Sequence, residues 1–467
     1  MPKSTDTIRS GTRIAAAGLA AAFLVATAGP SDAGPFNWFK GKDQVREEPY
    51  QAPNAPSNDS GSGGGGLFGG LFGGGSRGGL RGGAEHESQA SELAQDDPEA
   101  IMITNPPLGT PTLAAANIGP TKAAIQEYQQ IVAQGGWPSV PAVAMKPGQR
   151  GQEIVTLHRR LEISGDLVGM SIPDQYDQAV VAAVKRFQLR HGLPPTGVID
   201  SKATVAALNV PAVVRLAQLQ SNLRRLQKLA PGAKGRYVLV NIPAAQVEAV
   251  DNGRVAQRHA AVVGKPDLQT PELTSKVTEV NFNPYWYVPR SIIQNDLVPK
   301  GRQFASRGQD MLAAYHMEAF DQQGNQLDPR QIDWNGQEVY AYNFRQRPWA
   351  ENSLGFIKIN FPNKDAVYMH DTPLKSLFGK AVRFDSHGCV RVHNVATLAN
   401  WVLEGNPGWS VSRIMSLKQT GEQIDVKVNT RTGVYFAYVS AWATPDGVIH
   451  LRPDIYNEDG ATTAANY

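Results

Sequence analysis

The chain contains a single cysteine, and the residues around it are of types that activate a thiol. Cys389 lies within the heptapeptide Ser386 to Val392, which reads SHGCVRV. A nearby His, Arg or helix N-terminus lowers the pKa of a thiol from about 8.5 and so increases the thiolate fraction. Gly388 allows the backbone to approach a ligand closely, and consecutive N–H groups at such a turn can form an oxyanion hole. These features predict nucleophilic catalysis by Cys389.

A base for this thiol is predicted at His370, at the end of an apolar run from Val367 that reads as a strand. An imidazole with a pKa near neutrality can act as both general base and general acid. Two alternatives stay open at this point. Cys389 is either a small buried apolar residue or, with His387 and His393, a zinc ligand, although that spacing matches no common zinc motif.

Composition excludes several classes of protein. The 467 residues allow two to four domains. One cysteine excludes an internal disulfide and any metal site built on two or more Cys. The 45 basic and 42 acidic side chains are evenly spread and give a formal charge of +3, without the concentrated basic stripe of a nucleic-acid-binding protein. We therefore predict no nucleic-acid partner, no metal and no cofactor.

The first 33 residues have the layout of a secretory signal peptide. Lys3, Arg9 and Arg13 precede an uncharged run over residues 14–28, and small residues follow at Ser31 and Ala33. The run is shorter than the ~20 residues that span a bilayer, so an uncleaved anchor is the alternative. No later stretch is long and apolar enough to cross a membrane. The sequence predicts export, and hence a periplasmic, wall-associated protein.

Residues 34–115 are predicted to form a flexible tether. They are rich in Gly, Pro, Ser and acidic residues, and residues 61–83 contain 14 glycines in 23 positions. Such a composition buries too little apolar surface to offset its ordering entropy. The Leu67-Phe68 and Leu71-Phe72 repeat is either a docking element or simply part of the linker.

Helical periodicity dominates the next hundred residues. Apolar spacing predicts helices in two scaffold segments, residues 116–147 and 212–232. Between them, residues 148–211 carry three short helical patterns separated by Gly- and Pro-containing loops. The sequence predicts a small all-α, three-helix domain inserted into a helical scaffold.

A mainly β domain is predicted over residues 233–458, followed by a C-terminal tail over residues 459–467. Alternating apolar runs predict its strands, and a helix is predicted to open at Asn394. Residues 292–349 interrupt the strands with a polar, weakly patterned stretch. A gap of that length inside a β domain favours a functional lid.

The sequence around His370 and Cys389 closely resembles the signature of the L,D-transpeptidase (YkuD) family. The family pairs an upstream His, here in the run YMHDTP from Tyr368, with a Ser/Thr-His-Gly-Cys block. The resemblance extends over about residues 120–458, to the large subfamily with a scaffold domain, an inserted peptidoglycan-binding domain and a capping subdomain. It implies a multidomain protein with a mainly β, sandwich-like catalytic domain, and its capping subdomain corresponds to residues 292–349.

The resemblance also implies roles for individual residues. Cys389 is the expected nucleophile and His370 the general acid and base. The N–H groups of His387, Gly388 and Cys389 are expected to hold the oxyanion. Arg391 is expected to bind a substrate carboxylate, because its planar guanidinium binds one bidentately. Further pocket or orienting residues are expected at Tyr368, Ser386 and Trp286.

The implied function is a peptidoglycan L,D-transpeptidase that carbapenems would trap at Cys389. The thiol attacks the L-centre carbonyl of the diamino acid in a tetrapeptide stem, expels D-Ala, and transfers the acyl group to an amine of a second stem as a 3-3 cross-link. Three alternatives stay open: attachment of an outer-membrane protein to the wall, hydrolysis as an L,D-carboxypeptidase, and a non-catalytic wall-binding scaffold. The expected partners are peptidoglycan stem peptides and glycan strands.

Overall fold

The computed structural model describes residues 107–460. The predicted signal peptide, most of the predicted tether and residues 461–467 lie outside the described residues. Within the described part, no helix is both long and apolar enough to cross a membrane.

Two predicted boundaries are wrong at the edges of the described part. Thr112 and Leu113, assigned to the tether, are both about 1% exposed. Thr112 donates from its N–H and its Oγ1 to the carboxylate of Glu248, at 2.9 and 2.8 Å. At the other end, Asp459 is buried and accepts from Ser440 Oγ at 2.5 Å, so it is not part of a tail. Buried polar groups that find partners across the chain fix both segments.

Five helices occupy the first half of the described chain. They are α1 Ile118–Ala133, α2 Gln152–Ile163, α3 Gln178–Arg190, α4 Lys202–Asn209 and α5 Ala212–Leu229. Helices α2 to α4 pack around one apolar core that includes Leu157, Val184 and Phe187. This confirms the prediction of a small three-helix unit. Polar side chains cap two of its helices, since Asp177 accepts from the Val180 N–H at the start of α3 and Ser201 accepts from the Thr204 N–H at the start of α4.

Helices α1 and α5 form the scaffold on either side of this unit. Tyr128 of α1 and Leu219 of α5 share a small apolar cluster with Ala441 and Leu451 of the β region. The scaffold therefore packs directly on the C-terminal strands.

The β region has sixteen strands. They are β1 Arg236–Asn241, β2 Gln246–Asp251, β3 Arg254–Gly264, β4 Leu273–Lys276, β5 Glu279–Phe282, β6 Trp286–Tyr287, β7 Met317–Phe320, β8 Asn343–Gln346, β9 Ile357–Asn360, β10 Met369–His370, β11 Phe384–Ser386, β12 Val390–Val392, β13 Ile424–Lys427, β14 Gly433–Ala437, β15 Ala441–Ala443 and β16 Ile449–Leu451. Eleven of them form one sheet in the order β13-β5-β9-β10-β12-β3-β2-β1-β14-β4, with β11 paired to β3. The expected mainly β fold is confirmed.

This sheet curls around a single core. Val238 of β1, Val280 of β5, Ile359 of β9 and Val434 of β14 belong to one buried cluster, although their strands are spread along the whole sheet. Helices α9 (Val395–Val402) and α10 (Val411–Thr420) contribute Leu398 and other residues to the same core. Helix α9 begins after Asn394 as predicted, but Asn394 is left-handed (φ 49°) and its side chain does not cap the helix.

Residues 286–354 form a subdomain with a separate core. It contains the sheet β6-β8-β7, a π-helical turn Ile293–Leu297, and the short helices α6 Arg290–Ile292, α7 Val298–Ala305 and α8 Met311–Ala314. Its core runs from Trp286 to Leu354 and is therefore wider than the predicted lid of residues 292–349. We call residues 286–354 the cap.

Candidate active site

Three neighbouring strands bring the predicted catalytic residues onto one face of the sheet. Strand β10 pairs with β12 on one side, with Met369 opposite Val390, and with β9 on the other. Met369 and Val390 point into the core. Since successive side chains alternate between faces, His370 and Cys389 project from the opposite face. They are diagonal neighbours there, and the His370 Nδ1 is buried without a hydrogen-bond partner among residues 107–460.

A row of three basic side chains crosses this face. In the register of the sheet, His370 lies opposite Lys358 of β9 and opposite Arg391 of β12. The row places two cations beside the imidazole. Lys358 is a site residue that the sequence reasoning missed. The sequence marks Lys358 only as the one charged residue within the otherwise mainly apolar strand pattern from Phe356 to Phe361.

Tyr368 connects these groups. Its hydroxyl and its backbone N–H both interact with the Cys389 sulfur. The Lys358 Nζ lies 4.4 Å from the centre of the Tyr368 ring, and the His370 ring packs edge-on at 5.6 Å. Burial, then the neighbouring Cys389, raise the pKa of Tyr368 well above its usual value. Tyr368 is therefore a neutral hydrogen-bond donor that orients the thiol.

The thiol is neutral in this arrangement. Burial raises the pKa of Cys389, and the Tyr368 N–H, Lys358 and Arg391 only partly oppose that effect. The expectation of a lowered pKa is therefore wrong for the structure as it stands. The surrounding protein removes water from the sulfur, and desolvation disfavours the charged form.

The imidazole is also neutral. Burial, then the positive charge of Arg391, lower the pKa of His370 to about 3, with a smaller contribution from Lys358. The expectation of a near-neutral pKa is wrong for the same reason. Three other histidines behave alike, since burial lowers the pKa of His450 to about 3, of His259 to about 4, and of His191 well below 6.5. We call these four the neutral histidines.

The hydroxyl group of Ser386 holds the turn before Cys389. Ser386 Oγ donates to the Cys389 carbonyl oxygen at 2.5 Å and accepts from the Gly388 N–H at 3.2 Å. Gly388 has φ +104°, and a Cβ there would lie 3.2 Å from the Gln269 carbonyl oxygen. Only glycine adopts this conformation readily. The Gly388 N–H is thus already bonded, and it would have to leave Ser386 to hold an oxyanion.

The cap lies directly over this turn. His387 Nε2 is 3.2 Å from the Asp296 carboxylate, which belongs to the π-helical turn of the cap. Tyr368 packs on the cap core, and the Trp286 side chain interacts with its hydroxyl. Trp286 is only 3% exposed, so the structure places it in the cap core, behind Tyr368.

Arg391 is a nearly buried guanidinium with spare donor capacity. It is 6% exposed, and its Nη1 has no hydrogen-bond partner among the described residues. The opposite charge of Asp385 and of a thiolate at Cys389 would each favour its charged form, whereas burial lowers its pKa. No cluster of three or more His, Cys, Asp or Glu that could hold a metal occurs among residues 107–460.

Comparison with protein families assigns this part of the chain. Residues 235–411 match the family model described as the YkuD L,D-transpeptidase catalytic domain. The chain carries a YkuD L,D-transpeptidase catalytic domain. Residues 150–208, which contain helices α2 to α4, match the family described as "Putative peptidoglycan binding domain". The first match includes every site residue described above, and it also spans the cap.

A relative in Haemophilus influenzae, described as "Putative L,D-transpeptidase", is 31% identical over 243 residues. The alignment covers 52% of this chain and 48% of that relative, so the chain spans about half of the relative's length.

Two solved structures of L,D-transpeptidases are also similar. The enzyme from Stackebrandtia nassauensis is 15% identical with a TM-score of 0.24, over 64% of this chain and 96% of that one. The enzyme from Xylanimonas cellulosilytica (residues 123–326) is 16% identical with a TM-score of 0.21, over 64% of this chain and 98% of that one. At these scores the structures support no conclusion about the site of this L,D-transpeptidase domain.

Proposed function

We propose that the chain is a periplasmic, wall-associated peptidoglycan L,D-transpeptidase that forms 3-3 cross-links through a thioester on Cys389. The observation that carries the proposal is the shared face of β9, β10 and β12, which presents the thiol, the imidazole and two cations beneath the cap. The family of the catalytic domain and the peptidoglycan-binding match both support a wall peptide as the substrate.

Acylation starts from a neutral thiol and a neutral imidazole. The Cys389 sulfur forms a bond to the carbonyl carbon on the L-centre of the donor's diamino acid, while the thiol proton passes to His370. The C–N bond to D-Ala then breaks, and the same proton leaves His370 for the departing amine. A thioester and free D-Ala result. An amine of a second stem attacks the thioester by the reverse sequence and releases the neutral thiol.

The two cations support this route at different points. Lys358 and Arg391 favour the thiolate over the thiol, but both disfavour an imidazolium at His370. A proton on His370 is therefore held only briefly and is passed on to the amine. Arg391 is the proposed partner for a carboxylate of the donor stem, since its Nη1 is buried and unpaired within the described part of the chain.

The oxyanion of the tetrahedral intermediate is assigned to the backbone amides of His387, Gly388 and Cys389. Such donors contribute roughly 3–4 kcal/mol each in other enzymes. Because Ser386 Oγ occupies the Gly388 N–H, we expect Ser386 to release this amide when the intermediate forms.

The cap favours transfer to an amine over hydrolysis. It covers the turn that carries Cys389 through the contact between Asp296 and His387. Exclusion of water protects a thioester until the acceptor amine arrives.

Incubation of the full chain with a purified disaccharide tetrapeptide tests the proposal. The expected products are free D-Ala and a dimer whose mass equals two donors minus one D-Ala. Cys389→Ala should form neither, whereas the exposed-site control Lys364→Met should form both. Dimer formation by folded Cys389→Ala would overturn the assignment.

The products also separate the alternatives. Release of D-Ala without a dimer indicates a carboxypeptidase, and a mass increase on an added outer-membrane protein indicates attachment to the wall. A wall-binding scaffold yields no product and no mass shift with a carbapenem, whereas a catalyst is acylated once, at its only cysteine.

A further inference from the structure

A cavity of about 40 Å³ lies where the three-helix unit meets the β region, away from Cys389. Its walls come from His191 and Gly192 after α3, from Arg215 on α5, and from Arg383 and Arg452 of the β region. A cavity needs a volume of about 10–15 Å³ to hold one water molecule. The space is therefore large enough for a carboxylate or phosphate group and too small for a sugar.

Three buried guanidinium groups line this cavity without a counter-charge. Arg215, Arg383 and Arg452 are 3%, 6% and 7% exposed. Their hydrogen bonds go to uncharged oxygens: Arg215 to Gln218 and the Ala207 carbonyl, Arg383 to three carbonyls, and Arg452 to the carbonyls of Arg190 and Leu451. None of the three forms an ion pair with any residue in the range 107–460. The Nε atoms of Arg215 and Arg452 have no partner there at all.

Two buried carboxylates, Asp166 near α3 and Glu248 near Arg452, are already paired with other arginines. Asp166 forms a 2.6 Å ion pair with Arg190, and Glu248 forms a 2.8 Å ion pair with Arg258. Buried charges normally have a partner, because an isolated ion loses its hydration without compensation. Burial lowers the pKa of Arg452 to about 9 and that of Arg383 to about 10, which expresses the same missing counter-charge.

We propose that this cavity, which we call the arginine cavity, binds a small oxyanion, a carboxylate or a phosphate, between the peptidoglycan-binding unit and the catalytic domain. Gly192 allows the Arg452 side chain to reach the cavity wall, since a Cβ there would lie 2.7 Å from the Arg452 Nε. His191 lines the same cavity, and its Nδ1 donates to the Phe187 carbonyl oxygen at 2.7 Å, so the arginines are left to supply the donors. An anion held by residues from both sides would stabilise the contact between the two units. The site is independent of the chemistry proposed at Cys389.

Thermal unfolding of the full chain tests the arginine cavity. The protein is titrated with sodium phosphate, and separately with sodium acetate, at pH 8 and at ionic strength held constant with chloride. Because ligands that bind only the folded state raise the unfolding midpoint with concentration, we expect a saturable rise with at least one of the two anions. Comparison of the phosphate and acetate arms identifies the chemistry that the site prefers.

Matched variants locate the effect. In Arg452→Gln the concentration for half-maximal stabilisation should rise about tenfold or more, since one charge-assisted hydrogen bond is lost. Arg224→Gln, at an exposed position on α5, should behave as the wild type does. If Arg452→Gln does not fold, Arg215→Gln replaces it, and calorimetric titration of the wild type with phosphate and acetate should give one site. An unfolding midpoint that neither anion moves, or an equal rise in wild type and variant, overturns the proposal.

Discussion

Lys358 provides the sharpest test of the proposed electrostatics, because the sequence signature does not include it. The change is Lys358→Met, which keeps the length and apolar stem of the side chain and removes the charge. In the structure this cation lies across the sheet from His370 and favours the thiolate form of Cys389. We expect the variant to hold less thiolate at any pH at which the thiol titrates.

The magnitude follows from the position of Tyr368 between the two groups, since the Lys358 Nζ lies 4.4 Å from its ring centre and its hydroxyl interacts with the Cys389 sulfur. Two unit charges about 7 Å apart, at an effective dielectric constant of about 20, interact by about 2.4 kcal/mol. Lys358 is partly exposed, so we expect about 1–2 kcal/mol, which lowers the thiolate fraction at fixed pH about 5- to 30-fold. A more basic thiolate is a better nucleophile, with a Brønsted slope of about 0.4–0.5, so the alkylation rate should fall only about 2- to 8-fold.

The assay is the rate of iodoacetamide alkylation at pH 8, followed by intact mass. Because the chain has one cysteine, every added mass reports on Cys389. Lys358→Arg should retain the wild-type rate, and Lys364→Met, at an exposed loop position, should also leave it unchanged. A rate in folded Lys358→Met equal to or above that of the wild type would refute the proposed role of this cation.

Three further predictions concern the turn, the cap and the buried histidines. Gly388→Ala should destabilise the fold by about 1–3 kcal/mol in urea unfolding, because its φ of +104° strains any side chain, whereas Gly379→Ala, with open space at the Cβ, should change little. Asp296→Asn should speed alkylation of Cys389, because the cap loses its contact with His387, and it should change the free energy of unfolding by less than about 1 kcal/mol. The control Asp365→Asn should leave the alkylation rate unchanged. An unchanged rate in Asp296→Asn would show that this contact does not hold the cap. The neutral histidines bind protons below about pH 6.5 in the unfolded chain but not in the folded one. The free energy of unfolding should therefore fall from pH 6.5 toward pH 4, by up to about 2 kcal/mol per histidine at pH 5. A urea-unfolding profile that is flat across that window would contradict their burial.

The sequence predicted the elements whose apolar period is long and regular. Helices α2 and α3 follow from the spacing of Leu157, Val184 and their neighbours, and the strands at Val238 and Ile359 follow from runs of β-branched residues. In each case one face must be buried, and the period of that face fixes the type of element. Strand β2 (Gln246–Asp251) was missed although its Val247 and Val250 are buried, because polar residues separate them.

The cap could not be predicted in this way. Its three strands have two to four residues each, and its helices are interrupted by a π-helical turn. Elements that short show no detectable period, and their core is assembled from residues as distant in sequence as Trp286 and Leu354. The sequence predicts the polar stretch to be an unusual insertion, but its internal order depends on contacts that are not local.

The sequence predicts the residue types of the candidate site but not their protonation. The signature predicts which side chains take part, and that stays a prediction; the register of β10 and β12 places His370 and Cys389 on neighbouring strands. Their expected pKa values assumed exposed groups, however. Burial acts through all neighbouring elements at once, including the cap, and it moves the pKa of the thiol up and that of the imidazole down. No local stretch of sequence carries that information.

The direction of these shifts constrains how the site can work. A resting ion pair of thiolate and imidazolium would place a third positive charge between Lys358 and Arg391, in a position from which water is largely excluded. A neutral pair avoids this cost, and it also keeps the thiol less reactive toward oxidants, since reactivity follows the thiolate fraction. Proton transfer then becomes favourable only when negative charge develops on the substrate oxygen and a basic amine is present to receive the proton. We therefore expect nucleophilicity of Cys389 to depend on a bound donor peptide, which orders the events so that the thiol is activated where an acyl group is ready to be transferred.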